Sequence, residues 1–261
     1  MRLKLLLMHL GLKLFFISSY FGEWGKKSVI YRIGKKAKFN LRVNTSDKLN
    51  VFQAWKSKEY FDSEFRIEKD DIIVDIGANI GAFSVYAAKK ADKGTVFSYE
   101  PDKENYSMLL KNKFLNDADN IFPFNQAISA KKCTIDFFVA KLNAAGHSIY
   151  KTDSGKKIKV ESISLKDIIT TNNILKINYL KIDAEGAEYD ILMNTSPEIM
   201  RKIDKIVLEY HDYLGTNYNH IDLKRFLKNN GFKVNVCGNI FLSFVGRIFG
   251  VGMIKAKRKA S

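Results

Sequence analysis

The amino-acid sequence predicts an α/β fold, in which a mostly parallel sheet is covered by helices on both of its faces. From Asp71 onward, apolar segments typical of strands alternate with segments typical of helices, which is the pattern of repeated βαβ units. The strand segments are continuously apolar, as expected for strands that are buried on both faces. With 261 residues, three prolines and no low-complexity linker, nothing marks a second domain.

The alternation assigns the elements of the sheet in order. The predicted strands cover residues 71–77, 94–100, 121–128, 177–183, 205–210, 231–237 and 251–256, and the helices between them cover residues 79–90, 102–117, 164–171, 187–194 and 220–229. Residues 128–163 interrupt this rhythm with two β-rich runs. We therefore expect an inserted antiparallel segment there rather than a further domain.

Residues 1–60 precede the alternating pattern and are predicted to form an appendage to the main domain, residues 61–261. Residues 28–43 have two β-rich runs around a glycine and two lysines, which predicts a basic hairpin. A helix capped by Ser46 or Asp47 is expected to follow.

Residues 1–20 are mostly apolar and have a narrow polar stripe on one helical face, formed by Arg2, His9, Lys13 and Tyr20. A membrane span needs about 18 or more apolar residues with few charges, and Lys13 interrupts the run. No small-residue cleavage site follows, which argues against a secretory signal. Two alternatives stay open: a helix that lies in a membrane interface and a helix that packs on its own domain.

The net charge of +15 lies at the two ends of the chain. Residues 1–60 carry a net charge of +10 and residues 244–261 carry +5. In residues 61–243 the acidic and basic residues are equal in number. Because lysine and arginine are attracted to anionic lipid, peripheral membrane binding through residues 1–20 and the basic C-terminal tail is one hypothesis. The other is that the basic residues only keep these segments soluble.

The cysteine content favours a reducing compartment. Cys133 and Cys237 are the only cysteines, and they are far apart and outside any zinc-binding spacing. This pattern argues against a disulfide scaffold and against structural zinc. A cytoplasmic protein is expected, either free or at the cytoplasmic face of a membrane.

The turn after the first strand has the composition of a nucleotide-binding loop. Asp75, Gly77, Asn79 and Gly81 alternate with other residues between a strand and a helix, where backbone N–H groups can face a ligand. The spacing is not G-x-G-x-x-G, which weakens the case for NAD or FAD. Glu100 ends the next strand, where a carboxylate can accept hydrogen bonds from ribose hydroxyls.

Five blocks of the sequence resemble the FkbM family of S-adenosylmethionine-dependent O-methyltransferases, which belong to the Rossmann-like class I methyltransferases. The blocks are DIGANIGAFSVYAA (75–88), YEPDKENYSMLLKN (99–112), FNQAIS (124–129), LKIDAEGAEYDIL (180–192) and LEYH (208–211). The resemblance implies an antiparallel last strand and S-adenosylmethionine as cofactor. It also implies a methyl acceptor that is a hydroxyl of a sugar, glycan or related metabolite.

The same resemblance assigns residues to the cofactor. Its methionine and sulfonium end would be lined by Asp75, Gly77, Asn79 and Gly81, its ribose would be held by Glu100, and its adenine would lie near Asn125 and Ala127. Asn79 stands where the broader methyltransferase motif has its middle glycine, a departure that FkbM-like sequences share.

Candidate catalytic residues follow the fourth and fifth strands of the sheet. A sugar hydroxyl is a weak acid, with a pKa of roughly 15 like that of water, so a base is expected to assist the transfer. Asp183 is the first candidate for this base or for an acceptor anchor, Glu185 is the second and His211 the third, since its pKa suits proton uptake near neutrality. Alternatively, Asp183 only orders the turn. An Asp/Glu/His group could bind a metal, but the spacing demands none.

The sequence leaves two other functions as alternatives. A basic isoelectric point of about 9.6 fits an RNA methyltransferase. However, the charge accompanies apolar segments, no D/N-P-P-Y/F motif is present and no RNA-binding module is recognisable, so a nucleic-acid substrate is disfavoured. The second alternative, a catalytically silent binding protein of the same fold, is disfavoured because Asp75 and Glu100 are both present.

Overall fold

The computed structural model describes residues 27–43, 45–57, 59–139, 156–212, 217–237 and 250–259. The helix expected at residues 1–20 lies outside these ranges. Within them, no helix has both the length and the apolar character that crossing a membrane would require.

The strands of the described ranges alternate with helices as the sequence predicts. The strands are β1 (Ser28–Ile33), β2 (Ala37–Arg42), β3 (Ile72–Ile76), β4 (Thr95–Tyr99), β5 (Ile121–Phe124), β6 (Ala127–Ile128), β7 (Cys133–Val139), β8 (Lys156–Ile163), β9 (Ile177–Ile182), β10 (Ile203–His211), β11 (Phe232–Cys237) and β12 (Val251–Arg258). The helices are α1 (Asp47–Phe52), α2 (Ala82–Lys90), α3 (Lys103–Leu115), α4 (Leu165–Thr171), α5 (Ala187–Met193), α6 (Pro197–Arg201) and α7 (His220–Asn229).

Seven strands form the central sheet in the order β5–β4–β3–β9–β10–β12–β11. The strands from β5 to β10 pair in parallel, whereas β12 is antiparallel to both of its neighbours. The predicted Rossmann-like sheet, mostly parallel with an antiparallel last strand, is therefore confirmed. Because β3 lies between β4 and β9, the loops that follow these three strands meet at one edge of the sheet.

Hydrophobic cores lie on both faces of the sheet. Val74 and Ile76 of β3 pack in one core with residues of α4, α5 and α7. Ile73, whose side chain points to the opposite face, packs in the other core with α2 and the β1–β2 hairpin. The helices thus cover both faces, as the continuously apolar strands predict.

The predicted hairpin of residues 28–43 is confirmed and packs into the second core. Phe39 and Leu41 have no exposed surface. The backbone N–H of Asn40 donates to Oδ1 of Asn112 over 2.7 Å, which ties the hairpin to α3. The hairpin therefore holds the segment that follows it against the central sheet.

The helix expected after the hairpin differs from the prediction. Helix α1 ends at Phe52 and continues as a π-helical turn, Gln53–Ser57. Ser46 occupies the N-cap position but its side chain makes no capping hydrogen bond. Asp47 instead accepts hydrogen bonds from the backbone N–H and the guanidinium of Arg42, at 2.8–3.0 Å. Trp55 belongs to this π-helical turn, and its indole N–H donates to the carbonyl of Ala82. A tertiary contact is therefore made at the place where the helix is irregular.

An antiparallel pair also forms in the segment expected to interrupt the alternation. Strands β7 and β8 pair antiparallel from Cys133 opposite Ser162 to Val139 opposite Lys156, and β6 adds to β8 in parallel. This small sheet places Phe137 beside the edge of the central sheet where its strand-end loops meet.

Two cations of the basic C-terminal segment make contacts within the domain. Strand β12 extends to Arg258. The Lys255 ammonium lies 2.7 Å from the Asp62 carboxylate, and the Arg258 guanidinium donates to the carbonyl of Ile203 and lies 4.3 Å from the Phe232 ring centroid. Because these two cations stabilise the sheet, they are not available to bind lipid.

Candidate functional site

A cavity of about 250 Å³ opens at the edge of the sheet where β3, β4, β9 and β10 end. Residues at these strand ends line it together with residues of α1 and the small sheet: among them are Ser46, Asn50, Gly77, Ala78, Asn79, Glu100, Ala127, Phe137, Lys181, Asp183, Glu185 and Glu209. The cavity lies where an open α/β sheet binds its ligands.

The loop after β3 needs glycine at position 77. Gly77 has a φ of +74°, and a Cβ atom there would lie 1.8 Å from the carbonyl oxygen of Asp183. The backbone N–H groups of Gly77 and Ala78 both donate to the carbonyl of Tyr99 over 3.0 Å. Glycine at position 77 is therefore required for the loop to pack between the ends of β4 and β9.

Glu100 directly follows β4, in the position predicted for a ribose-binding acid. Its Oε2 accepts the backbone N–H of Asn79 over 2.7 Å, and its Oε1 accepts that of Asp102 over 2.9 Å. Burial raises the pKa of Glu100 to about 7, although both hydrogen bonds favour the charged form. Each carboxylate oxygen has a second lone pair, so two ribose hydroxyls can still donate to this group.

Lys181 is a buried cation that connects three strand ends. Its ammonium donates to the carbonyl of Gly77 over 2.7 Å and lies 3.2 Å from Oδ1 of Asp75 and 3.7 Å from Oδ2 of Asp183. Burial lowers the pKa of Lys181, but the neighbouring carboxylates outweigh it and raise this pKa above its ordinary value. The lysine therefore stays charged and neutralises the fully buried Asp75.

Asp183 follows β9 and lines the cavity. Its backbone N–H donates to the carbonyl of Ile76 over 3.0 Å, and its side chain is 25% exposed, which leaves the carboxylate accessible to an acceptor. The Tyr60 hydroxyl donates to Oδ2 over 3.4 Å. Burial, followed by the charge of Asp183, raises the pKa of Tyr60 well above its ordinary value, so the phenol keeps its proton.

His211 lies among carboxylates, which changes the role expected from its sequence position. Its Nδ1 is 2.5 Å from Oε1 of Glu188 and its Nε2 is 3.5 Å from Oε2 of Glu185. Burial lowers the pKa of His211, but Glu188, Glu185 and then Glu209 outweigh it and raise this pKa well above its ordinary value. A protonated imidazole has no lone pair for a proton, so the hypothesis that His211 takes up a proton near neutrality is corrected.

Two carboxyl groups beside His211 bind their protons unusually tightly. Burial is the main cause that raises the pKa of Glu185 to about 7 and that of Glu209 to about 8, and the charge of Asp183 adds to both shifts. Glu185 has a φ of +48°, which is uncommon outside glycine and often marks a functional turn. Carboxyl groups with a pKa near neutrality are suited to exchange protons with a substrate.

Asp183, Glu209 and His211 also form a group with the residue types of a metal site. One potential ligand atom from each lies within 4.8 Å of the others. A metal would require the neutral imidazole, whereas the carboxylates around His211 favour its charged form. A metal ion at this position would therefore have to displace the proton of His211.

Four of the residues predicted for the site support the cavity without lining it. Asp75 accepts a hydrogen bond from Ser84 over 2.6 Å beneath the loop. Gly81 has a φ of +82° at the start of α2, and the side-chain amide of Asn125 donates to the carbonyls of Glu100 and Pro101. His211, the fourth, orients the carboxylates of Glu185 and Glu188. Asp75 is thus placed to hold Lys181 rather than to touch the methionine end of the cofactor.

Sequence reasoning did not select several residues that line the cavity. Alternation along the strand places Glu209 on the same side of β10 as His211, but Glu209 was assigned no role, and Lys181, two residues before Asp183, was not selected. Tyr60, Ser46 and Asn50 come from a segment that no motif connects with the strand ends. Only the packed hairpin brings that segment to the cavity.

Comparison with known proteins places the chain among methyltransferases. The family model described as the methyltransferase FkbM domain matches residues 75–234. The chain is 25% identical over 227 residues to Methyltransferase 1 of Beauveria bassiana, a match that covers 76% of this chain and 87% of that protein. It is 26% identical over 144 residues to the hexuronic acid methyltransferase AglP of Haloferax volcanii, covering 55% of this chain and 57% of that protein.

A solved structure has the same fold. The fibrillarin pre-rRNA processing protein of Methanococcus jannaschii superposes with a TM-score of 0.52 at 16% sequence identity, covering 91% of this chain and 86% of that chain. At this identity the similarity concerns the fold alone.

Proposed function

The chain belongs to the FkbM family of methyltransferases, and we propose that it methylates a hydroxyl group of a sugar or glycan. It is an S-adenosylmethionine-dependent methyltransferase. The observation that carries the proposal is the position of Asp183. Its accessible carboxylate lines the same cavity as Glu100 and the loop after β3, so a proton acceptor lies beside the residues suited to the cofactor.

The residues of the cavity fit S-adenosylmethionine. Gly77, Ala78 and Asn79 of the loop after β3 line the same cavity as Glu100, so main chain and a carboxylate face one ligand space. Glu100 would hold the ribose, Gly77 and Asn79 would contact the methionine part, and Ala127 would lie near the adenine. When bound, the cofactor supplies a methyl group on a sulfonium, which is already a good leaving group.

The chain's own residues would align the acceptor and take its proton. Alignment is the larger contribution, because a correctly held nucleophile reacts as if it were highly concentrated. We propose that Asp183 accepts the hydroxyl proton and that Tyr60 and Lys181 hold its carboxylate in place. Glu185, whose pKa is raised to about 7, would complete the proton-accepting group, whereas Glu209, whose pKa is about 8, keeps its proton near neutrality.

The name of one relative suggests the class of acceptor. The Haloferax volcanii protein is a hexuronic acid methyltransferase, and the nucleophilic heteroatoms of a hexuronic acid are all oxygens. A uronic acid, free or within a glycan, is therefore the first acceptor that we would test. Its ring hydroxyls are the groups that need the base which Asp183 supplies.

The experiment measures transfer of an isotope-labelled methyl group to glucuronic acid, galacturonic acid and their glycosides, with neutral glucosides for comparison. We expect Asp183→Asn to lower turnover by about 10²-fold or more and to leave binding of S-adenosylhomocysteine within about threefold of the wild type. The exposed Asp119 provides the matched control, Asp119→Asn. Full turnover by Asp183→Asn would remove Asp183 from the mechanism, and labelling of no sugar at all would overturn the acceptor class.

Association with a membrane surface stays a prediction that rests on residues 1–20 and on the remaining basic residues of the C-terminal segment, of which Lys257 and Lys259 are exposed. Flotation with anionic liposomes tests it. We expect the full-length chain to float and a variant that lacks residues 1–20 to stay at the bottom, since each lysine or arginine near anionic lipid contributes about 1 kcal/mol. Equal flotation of both proteins would contradict the prediction.

A further inference from the structure

Two polar atoms beside the cavity have no hydrogen-bond partner. Oγ of Ser46 and Nδ2 of Asn50 are both buried and unpaired among the described residues, and both residues line the cavity that contains the loop after β3. Leaving a buried donor unpaired costs free energy, so native proteins rarely keep two such groups together. A ligand with acceptor oxygens would remove this cost.

The two side chains are held as a pair at the beginning of α1. Ser46 and Asn50 are four residues apart, and the backbone N–H of Asn50 donates to the carbonyl of Ser46 over 3.1 Å, which places both on one helical face. The buried Asp47 and the Arg42 guanidinium fix this turn of the chain. The serine hydroxyl does not cap the helix, so it remains available to another acceptor.

The segment that contains the pair packs over the helix that follows the loop after β3. The Trp55 indole donates to the carbonyl of Ala82, the first residue of α2, over 3.0 Å. Ala54, Ala82 and Gly77 line the same cavity. Residues of the hairpin segment and of the loop after β3 therefore face one ligand space.

We propose that Ser46 and Asn50 bind the carboxylate of the amino-acid end of S-adenosylmethionine. A hydroxyl and an amide are two neutral donors, and a carboxylate offers two strong acceptor oxygens. The ribose hydroxyls have Glu100 as their acceptor. The ammonium of Lys181 also lies at the cavity, but it is already engaged by Gly77, Asp75 and Asp183. This inference rests on the proposed binding of S-adenosylmethionine. Ser46 and Asn50 precede residues 75–234, the region that the family model matches.

The test compares two ligands that differ in the amino-acid end. S-Adenosylhomocysteine contains the carboxylate, whereas 5′-methylthioadenosine has the same nucleoside without it. Calorimetry with the full-length chain and its Ser46→Ala and Asn50→Asp variants should show binding of S-adenosylhomocysteine weakened about tenfold or more. Binding of 5′-methylthioadenosine should stay within about twofold of the wild type. Exposed residues provide the controls Ser107→Ala and Asn229→Asp.

The melting temperature of the unliganded proteins separates binding from folding. Because Ser46→Ala removes an unpaired buried hydroxyl, we expect its melting temperature to equal or exceed that of the wild type. Equal loss of both ligands, or loss of neither, would overturn the assignment to the carboxylate. If the wild type does not bind S-adenosylhomocysteine, the cofactor assignment is wrong and this inference falls with it. If the wild type binds it and the variants bind it equally well, only the assignment of Ser46 and Asn50 is wrong.

Discussion

The ammonium of Lys181 donates a hydrogen bond of 2.7 Å to the carbonyl oxygen of Gly77. A side chain of β9 thereby holds the main chain of the loop after β3. Since the same ammonium lies 3.2 Å from Asp75, one buried cation both neutralises a buried carboxylate and positions the loop proposed to contact the cofactor. The stability of the sheet and the shape of the site depend on the same contact.

Replacing Lys181 by methionine should destabilise the protein strongly. The change leaves the carboxylate of Asp75, which has no exposed surface, without its cation, and such losses cost about 3–5 kcal/mol. Chemical denaturation measures the free energy of unfolding. Lys176→Met is the matched control, because its ion pair with Asp204 lies at the surface and should contribute less than about 1 kcal/mol. Adding Asp75→Asn to Lys181→Met should restore part of the loss, and equal effects of the two lysine variants would refute the prediction.

Alanine at position 77 should be far more harmful than alanine at another glycine with positive φ. At Gly77 the added Cβ would lie 1.8 Å from a backbone oxygen, whereas at Gly34, with a φ of +52°, it would meet nothing within 4 Å. We expect Gly34→Ala to cost about 1–2 kcal/mol from backbone strain alone. Gly77→Ala should cost more than that and abolish binding of S-adenosylhomocysteine. Unfolding curves and calorimetry check both variants, and similar costs would mean that the loop can move away.

Glu100→Gln should weaken binding of S-adenosylhomocysteine by roughly 10- to 100-fold, the range for a lost charge-assisted hydrogen bond. The wild type should also bind more tightly as the pH rises from 6 to 8. Its carboxyl has a pKa of about 7 and accepts ribose hydroxyls best when charged. Calorimetry across this pH range should show that the variant loses the pH dependence. The control Glu104→Gln changes a side chain that is 86% exposed and should keep the pH dependence of binding. If Glu100→Gln also keeps this pH dependence, another group is responsible for it.

Glu209→Gln should stabilise the protein increasingly as the pH rises. Burial raises the pKa of Glu209 from its ordinary value of 4.5 to about 8, so the folded state binds this proton more tightly than the unfolded state. Its contribution is present below about pH 4.5 and is lost as the pH rises through 8. Relative to the wild type, the variant should gain free energy of unfolding between pH 5 and pH 8, on the order of a few kcal/mol. Denaturation at pH 5, 6.5 and 8 tests this, with the exposed Glu198→Gln as control. A difference independent of pH would contradict it.

The parts of the fold that depend on local periodicity could be predicted from the sequence. Continuous apolar runs identified the strands, and a parallel sheet brings the ends of β3, β4 and β9 together whatever the details of packing. For this reason Gly77, Glu100 and Asp183 were expected at one edge and lie there. Residue type and position at a strand end were sufficient for them.

The remaining features depend on contacts between distant segments. The positive charge of His211 is stabilised by Glu188 of α5. The sequence pattern of β10 does not show that the Glu188 side chain points toward His211. The inward position of Asp75 follows from its pairing with Lys181 on another strand. Ser46 and Asn50 reach the cavity only because the hairpin packs on α3 and the Trp55 indole bonds to α2. Periodicity describes one element at a time, and these relationships each involve at least two.

The order of the sheet also constrains when the protein can fold during its synthesis. Strand β12 follows β11 in the sequence, yet it lies between β10 and β11 in the sheet. Until residues 251–258 leave the ribosome, β11 has no partner in the sheet and β10 exposes one edge to other nascent chains. The nascent chain can therefore complete this side of its sheet only after residues 251–258 have been synthesised.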